Sequence, residues 1–170
     1  MSFARSLLAN AIIVSKLKGE VMRQVEYASM CDIPRLCELL KILFGQEREF
    51  YYDETVQSRG LAMILSDASI GSIFVIKEER YIVGMVSFLW TVSTALGAKV
   101  AWLEDMVIDS PYQNKGYGKM LLGEALDAMK KLTCKRVRLL TDADNAYAQK
   151  LYQRFGFDHS SMHSMRLFIS

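Results

Sequence analysis

Hydrophobic and polar positions alternate along several short segments of the chain, a period that is typical of β-strands. The segment 21–28 alternates residue by residue and predicts a first strand. Three further strands are predicted at 72–77, 81–90 and 100–109, and the short turns between them indicate an antiparallel meander. Gly84 lies inside the second of these three, which indicates a bulge or a close approach of two backbones.

The segments between these strands repeat their hydrophobic residues every three or four positions, as amphipathic helices do. A first helix follows Ser29 or Asp32, either of which can cap it, has Pro34 in its first turn and ends at Gly45. A second helix is predicted over 55–66. Two helices are therefore expected between the first and second strands.

The second half of the chain predicts a helix over 117–132 and a strand over 134–140. Because a helix joins this strand to the strand at 100–109, the two strands are expected to pair in parallel. Asp144 or Asn145 then caps a last helix, and the segment 165–169 is predicted to be a closing strand.

Composition restricts the class of protein. The 170 residues predict one main domain, and a net charge of +2 argues against a nucleic-acid-binding surface. Cys31, Cys37 and Cys134 lack CxxC spacing, so neither a disulfide framework nor a zinc site is predicted, and a reducing cytoplasm fits best. His159 and His163 have no accompanying carboxylate cluster, so we expect surface histidines and no metal.

Residues 1–19 form an apolar N-terminal appendage in this interpretation, and residues 20–170 form the domain. The apolar run at 7–14 is shorter than the roughly 20 residues that span a bilayer, and no membrane association is predicted. The appendage is either an extra helix, packed on the domain or on a partner subunit, or an extension upstream of the true start.

A glycine-containing loop, residues 113–118, opens the helix that begins near Tyr117. Gly116 and Gly118 permit backbone conformations that other residues avoid, and Lys115 and Lys119 add positive charge. Because a helix N-terminus offers unpaired N–H groups, this glycine loop predicts a phosphate site. It lacks the third glycine of a dinucleotide fingerprint and the Lys-Ser/Thr pair of a P-loop.

The loop reads Gln113-x-x-Gly116-x-Gly118, which resembles the diphosphate loop of the GNAT superfamily of acetyl-CoA-dependent N-acetyltransferases. A second segment, Asn145-x-x-Ala148-x-x-Leu151-Tyr152-x-x-x-Gly156-Phe157, resembles the other signature of that superfamily. The resemblance covers about residues 20–170. It implies an α/β (α+β) GNAT fold with a mixed, mostly antiparallel sheet of six to seven strands, a parallel pair at its centre and about four flanking helices.

The resemblance also implies which residues meet acetyl-CoA, the acyl donor. Asn145 and Tyr152 are expected near its pantetheine arm, and the Met106 N–H is expected to meet the oxyanion. Met106 and Ile108 are further expected to pair with the pantetheine amides as an added strand would. The full expected set for the cofactor is Met106, Val107, Ile108, Gln113, Asn114, Lys115, Gly116, Tyr117, Gly118, Lys119, Asn145 and Tyr152.

Leu103-Glu104-Asp105 is similar to a segment of the diamine and polyamine acetyltransferase branch. A charged amine must lose a proton before it attacks a thioester, so a base is useful. Glu104 is the candidate base and is expected to be buried, with a raised pKa. Asp105 replaces it if a bulge changes the alternation. A water chain that carries the proton from the amine is the third possibility. Tyr152 is the candidate acid for the leaving sulfur.

The acidic and aromatic segment 46–54 is predicted to cover the acceptor, with Glu47, Tyr51 and Tyr52 joining Glu104 around a cationic amine. The predicted function is therefore acetyl transfer from acetyl-CoA to a primary amine of a small molecule such as a polyamine, a diamine or an amino-acid-like compound. Two alternatives stay open at this point: a protein lysine or N-terminal acetyltransferase, and a CoA-binding regulatory module without turnover. A cytoplasmic homodimer is expected.

Overall fold

The computed structural model describes residues 21–46 and 51–169. Within them, one sheet has its strands in chain order, β1-β2-β3-β4-β5, and every pair is antiparallel except β4 and β5, which are parallel. The strands are β1 (Arg23–Tyr27), β2 (Gly71–Glu78), β3 (Tyr81–Ser93), β4 (Ala98–Ile108) and β5 (Val137–Leu139). The predicted meander and the predicted parallel pair are both confirmed.

The described residues form four α-helices, the number predicted: α1 (Ile33–Phe44), α2 (Glu54–Ser66), α3 (Tyr117–Lys131) and α4 (Ala146–Arg154). Side-chain carboxylates accept hydrogen bonds at or just before the starts of α1 and α2. Asp32 accepts hydrogen bonds from both the N–H and the hydroxyl of Ser29 just before α1, each at 2.7 Å. Asp53 accepts from the N–H of Thr55 at 2.9 Å at the start of α2. The chain divides into two compact units, Met1–Leu140 and Thr141–Ser170, and β1 to β5 and α1 to α3 all lie in the first.

Both faces of the sheet are buried. Ile73 and Val75 of β2 belong to a cluster with α1 and α2, whose buried residues include Leu36, Leu39, Leu40, Leu61 and Leu65. Phe74 and Ile76 alternate with them, so they occupy the other face, and they are also buried. Helix α3 buries Tyr117, Leu121, Leu122, Ala125 and Met129. This double burial explains why β2 and β3 are nearly continuous hydrophobic runs.

Gly84 occupies the close approach that its position in a strand predicted. A Cβ atom there would lie 2.9 Å from the carbonyl oxygen of Val107 and would overlap the Cδ1 of Ile108. The register of β2 and β3 also shifts between Ile76 and Lys77, which leaves Val83 as an extra residue opposite them.

Two details of the predicted sheet are wrong. It has five strands among the described residues, not six to seven, and the parallel pair lies at its edge, not at its centre. Residues 165–169 form no strand, and the side chains of Met165 and Ile169 are 95% and 91% exposed. Alternating hydrophobicity favours a strand, but a strand also needs a neighbour with which to exchange hydrogen bonds. The predicted appendage, residues 1–19, lies outside the described residues.

Candidate active site

A β-bulge interrupts the pairing of β3 with β4. Val86 pairs with Met106 and Phe88 pairs with Leu103, so Ser87 alone lies opposite Glu104 and Asp105. The fully buried Ser87 hydroxyl accepts a hydrogen bond from the Asp105 N–H at 3.1 Å and donates one to Asp105 Oδ2 at 3.0 Å. One side chain therefore holds both the backbone and the carboxyl group of Asp105.

The bulge changes which carboxylate is buried. Asp105 is partly buried, and this burial raises its pKa to about 6, against a smaller lowering effect of the Ser87 hydrogen bond. Glu104 is exposed, so the expected burial of Glu104 is wrong, and Asp105 has the environment that strict alternation assigned to Glu104. The two-residue period predicted the opposite arrangement because a bulge inserts one residue and reverses the parity.

Strand β4 continues beyond its parallel neighbour. Strand β5 pairs only with Ala101, Trp102 and Leu103, whereas β4 extends to Ile108. Val107 is buried in the sheet, and Met106 and Ile108 are partly buried. The β4 segment after Leu103 is therefore paired with β3 on one side and lies past the end of β5 on the other.

The glycine loop has the backbone geometry that its sequence predicted at Gly116. This residue is the N-cap of α3, with φ +87°, and Asn114 has φ +59°. A Cβ on Gly116 would have no atom within 4 Å, so the requirement for glycine is conformational and not steric. Gly118 differs, because it lies in the first turn of α3 and has no positive φ.

The N-terminus of α3 presents its first N–H groups at this loop. The Met120 N–H makes the first intrahelical bond, to the Gly116 carbonyl at 3.1 Å, so the N–H groups of Tyr117, Gly118 and Lys119 have no acceptor within the helix. Lys115 and Lys119 are exposed beside them. This arrangement suits a diphosphate, which both the helix dipole and the lysines attract.

Two side-chain contacts that the sequence did not predict hold the residues at the end of β4 and in the glycine loop in place. Gln113 Nε2 donates to the Ile108 carbonyl at 2.9 Å, which ties the loop to the end of β4. Arg35 of α1 donates to the Ile82 carbonyl at 2.9 Å and forms an ion pair with Asp109. The expected contact of Gln113 with the cofactor stays a prediction, and the hydrogen bond to β4 is what the structure shows.

Sequence reasoning missed Ser87 and Arg35. Ser87 carries the one hydroxyl within the hydrophobic segment 82–90 of β3, and Arg35 is a cation next to the apolar face of α1. A polar residue in a run that is otherwise buried must find a partner, so Ser87 carried a usable signal. The partner of Arg35 is 74 residues away in sequence, and only the fold identifies it.

Asn145 and Tyr152 belong to the second compact unit. Asn145 is the N-cap of α4, and its Oδ1 accepts from the Ala148 N–H at 3.1 Å, which selects it over Asp144 as the predicted cap. Burial raises the pKa of Tyr152 to about 12, and its ring lies edge-on to Phe157 at 5.7 Å. Tyr152 therefore keeps its proton throughout the physiological pH range.

The predicted acceptor segment is only partly described. Glu47 lies outside the described residues, and Tyr51 is 91% exposed. Tyr52 is partly buried with the Lys41 ammonium 5.8 Å from its ring centroid, and burial followed by the charge of Glu54 raises its pKa. The roles of these residues toward an acceptor stay predictions.

No group of three or more His, Cys, Asp or Glu residues in 21–46 and 51–169 is arranged to hold a metal ion. No helix in those ranges is both long and apolar enough to cross a membrane.

A family model for the acetyltransferase (GNAT) family matches residues 33–157, which include the bulge, the glycine loop and α4. The chain belongs to the GNAT family. Members of this family are acetyltransferases, and acetyl-CoA is their acyl donor. The resemblance read from the two motifs is confirmed.

A curated acetyltransferase is similar in sequence to part of this chain. The chain is 44% identical over 57 residues to the spermine/spermidine N(1)-acetyltransferase of Bacillus subtilis (strain 168), a match that spans 33% of this chain and 38% of that protein. The chain thus aligns with only about two-fifths of the length of this curated relative.

Solved structures share the fold. A possible acetyltransferase from Clostridium difficile 630 superposes with a TM-score of 0.78 at 17% identity, over 89% of this chain and 99% of that chain. An aminoglycoside acetyltransferase from an uncultured soil metagenomic sample superposes with a TM-score of 0.69 at 19% identity, over 86% and 97% of the two chains. At these identities the likeness establishes the α/β GNAT fold alone.

Proposed function

We propose that this protein transfers the acetyl group of acetyl-CoA to a primary amine of a small molecule, a polyamine, a diamine or an amino-acid-like compound, by direct attack within a ternary complex. The observation that carries the proposal is the bulge opposite Ser87, which places the Asp105 carboxyl group where burial raises its pKa to about 6. The partial match to a spermine/spermidine acetyltransferase supports the amine class.

Deprotonation of the acceptor is the first requirement. An alkylamine with a pKa of about 10.4 is protonated at pH 7, and removal of its proton there costs roughly 4 to 5 kcal/mol, at 1.36 kcal/mol per pKa unit. A base acts best when its own pKa is near the working pH. Asp105 meets this condition, so it takes the amine proton, directly or through a water, while the exposed Glu104 attracts the cationic amine.

Acetyl transfer then proceeds by addition and elimination. The amine nitrogen forms a bond to the thioester carbon, and the carbonyl oxygen gains negative charge, which the Met106 N–H stabilises. When the carbon–sulfur bond breaks, the electron pair stays on sulfur and Tyr152 donates its proton to the thiolate. The nitrogen, which carries a positive charge after the attack, gives its extra proton to the Tyr152 phenolate, directly or through a water, so the products are the neutral amide and the free thiol. A phenol with a pKa of about 12 is protonated before each turnover.

The donor is held by backbone more than by side chains. The diphosphate lies at the glycine loop against the first N–H groups of α3, and the pantetheine arm pairs with β4 at Met106 and Ile108 as an added strand. Asn145 supplies its side-chain amide nitrogen to the same arm, because its oxygen already caps α4. Lys115 and Lys119 add charge at the diphosphate.

An acceptor screen tests this function. Wild-type protein is incubated with acetyl-CoA and, one at a time, spermine, spermidine, putrescine, lysine, an aminoglycoside and a lysine-containing peptide, and thiol release is followed with a disulfide dye. We expect turnover with the polyamines and little with the peptide. Turnover with the peptide alone would contradict the proposed substrate class, and no turnover with any amine would contradict the activity.

A matched pair of variants identifies the base. Asp105→Asn removes the buried carboxylate and should lower kcat about 10²- to 10⁴-fold, the usual contribution of a general base. Glu104→Gln removes the neighbouring exposed carboxylate and should raise KM for a polyamine with little change in kcat. The reverse result would assign the base to Glu104.

A further inference from the structure

Arg23 connects the first strand of the sheet to the glycine loop. Its Nη1 donates a hydrogen bond to the Lys115 carbonyl oxygen at 3.2 Å, across 92 residues of sequence. Its guanidinium carbon lies 4.2 Å from the ring centroid of Tyr117, and the Tyr117 side chain is buried. Arg23 is therefore fixed at one side by a carbonyl and at the other by an aromatic face.

The hydrogen bond to Lys115 sets the direction of the next N–H group. A trans peptide is planar, and its C=O and N–H point in opposite directions. Because the Lys115 carbonyl points toward the Arg23 guanidinium, the Gly116 N–H points away from it. The left-handed conformation of Gly116 then leads directly into the first turn of α3, so this N–H and those of the helix N-terminus belong to one short run.

The surroundings of Arg23 make its effect geometric more than electrostatic. In the sheet register it lies directly opposite Glu78, and opposite charges at facing positions of an antiparallel pair attract each other. Burial and a hydrogen bond to Glu78 raise the pKa of Tyr117 by more than the charge and hydrogen bond of Arg23 lower it, so the ring under the guanidinium is neutral. Tyr112 packs edge-on against Tyr117 with centroids 5.6 Å apart, which supports the ring from another side.

We propose that Arg23 is a positioning residue for the donor: by holding the Lys115–Gly116 peptide plane against Tyr117, it keeps the loop N–H groups directed at the diphosphate of CoA. This inference rests on the proposed function and adds a residue of β1 that lies outside both sequence motifs. It predicts that loss of Arg23 weakens only donors that contain the diphosphate, because binding of the acetyl and pantetheine portions does not need this peptide plane.

The test compares two acetyl donors. Acetyl-CoA contains the diphosphate, whereas S-acetylpantetheine has the same thioester and arm without it. In Arg23→Met, whose apolar stem still covers Tyr117, we expect the calorimetric Kd for CoA to rise about three- to tenfold, the effect of one lost charge-assisted hydrogen bond at an exposed site. The value of kcat/KM should fall by the same factor with acetyl-CoA and change less than twofold with S-acetylpantetheine.

Two further variants separate geometry from charge. Arg80→Met removes a cation from the turn between β2 and β3, which directly follows Glu78, the residue opposite Arg23 in the register, and should leave the Kd for CoA within twofold. Arg23→Lys keeps the charge but loses the planar guanidinium, and should resemble Arg23→Met. Thermal unfolding of each variant confirms that it is folded.

Three outcomes would overturn the inference: equal losses with both donors, an unchanged Kd in Arg23→Met, or full affinity in Arg23→Lys. The result is also distinguishable from failure of the proposed function. If wild-type protein binds CoA but acetylates no amine, the proposed function fails, while the binding measurements still decide the role of Arg23.

Discussion

Substitution of Asp105 by Asn should make the protein more stable at neutral pH while it removes activity. The carboxyl group has its pKa raised from 3.8 to about 6 because burial disfavours the charged form. Ionisation of this group in the folded protein therefore costs free energy relative to the unfolded chain. At 1.36 kcal/mol per pKa unit, the cost above pH 7 is about 3 kcal/mol.

The sign of the pH dependence follows from proton binding. Between pH 3.8 and about 6 the folded protein retains a proton that the unfolded chain has released, so stability falls as the pH rises through this window and is constant above it. Asn has the same shape, is neutral, and can still accept the hydrogen bond from Ser87. Asp105→Asn therefore avoids the cost of ionisation at pH 8 and is more stable than wild type there. Near pH 4 the two proteins should have almost the same free energy of unfolding.

Urea unfolding at pH 4 and pH 8 measures this difference, because the other titrating groups are common to both proteins. We expect Asp105→Asn to be about 3 kcal/mol more stable than wild type at pH 8, or about 6 to 12 °C in Tm at this chain length. Glu104→Gln is the control and should change stability by less than about 0.5 kcal/mol. A destabilised Asp105→Asn at pH 8, or the same stability difference at both pH values, would refute the reasoning.

Three further predictions concern single groups. Ser87→Ala removes the donor that stabilises the Asp105 carboxylate, so the acidic limb of kcat/KM should move up from near pH 6 by about one unit, and an unmoved limb would contradict this. Gly84→Ala forces a Cβ against the Val107 carbonyl and should lower unfolding free energy in urea by about 1 to 3 kcal/mol, whereas Gly60→Ala, with open space in α2, should stabilise the protein slightly. Tyr152→Phe should lower kcat about 10²- to 10⁴-fold with the calorimetric Kd for acetyl-CoA within twofold, and full activity would exclude the phenol as the acid.

The local elements of this protein are encoded in short stretches of sequence. Hydrophobic period alone predicted four of the strands that pair as a meander and the helices between them, because burial of an apolar face depends on spacing along the chain. Gly116 identified the left-handed start of α3, since few other residues adopt that conformation without strain. These features need only near neighbours, so the sequence determined them.

Two of the sequence predictions failed where pairing with a distant segment decides the result. The alternation of 165–169 predicts a strand, but a strand exists only beside a partner, and the structure forms none there. Glu104 and Asp105 are neighbours with the same chemistry, and a bulge opposite Ser87 decides which of them is buried. No pattern within β4 contains that information.

Sequence by itself therefore determined the family, its acyl donor and the position of the glycine loop that opens α3, because motif chemistry and helix starts are local. Only the tertiary structure decided which carboxylate has a raised pKa and which residues Arg23 and Arg35 contact. Asp105 meets Ser87 across 18 residues, Arg35 meets Asp109 across 74, and Arg23 meets Lys115 across 92. Contacts of this range depend on strand register and helix packing, which arise only when the whole sheet has formed.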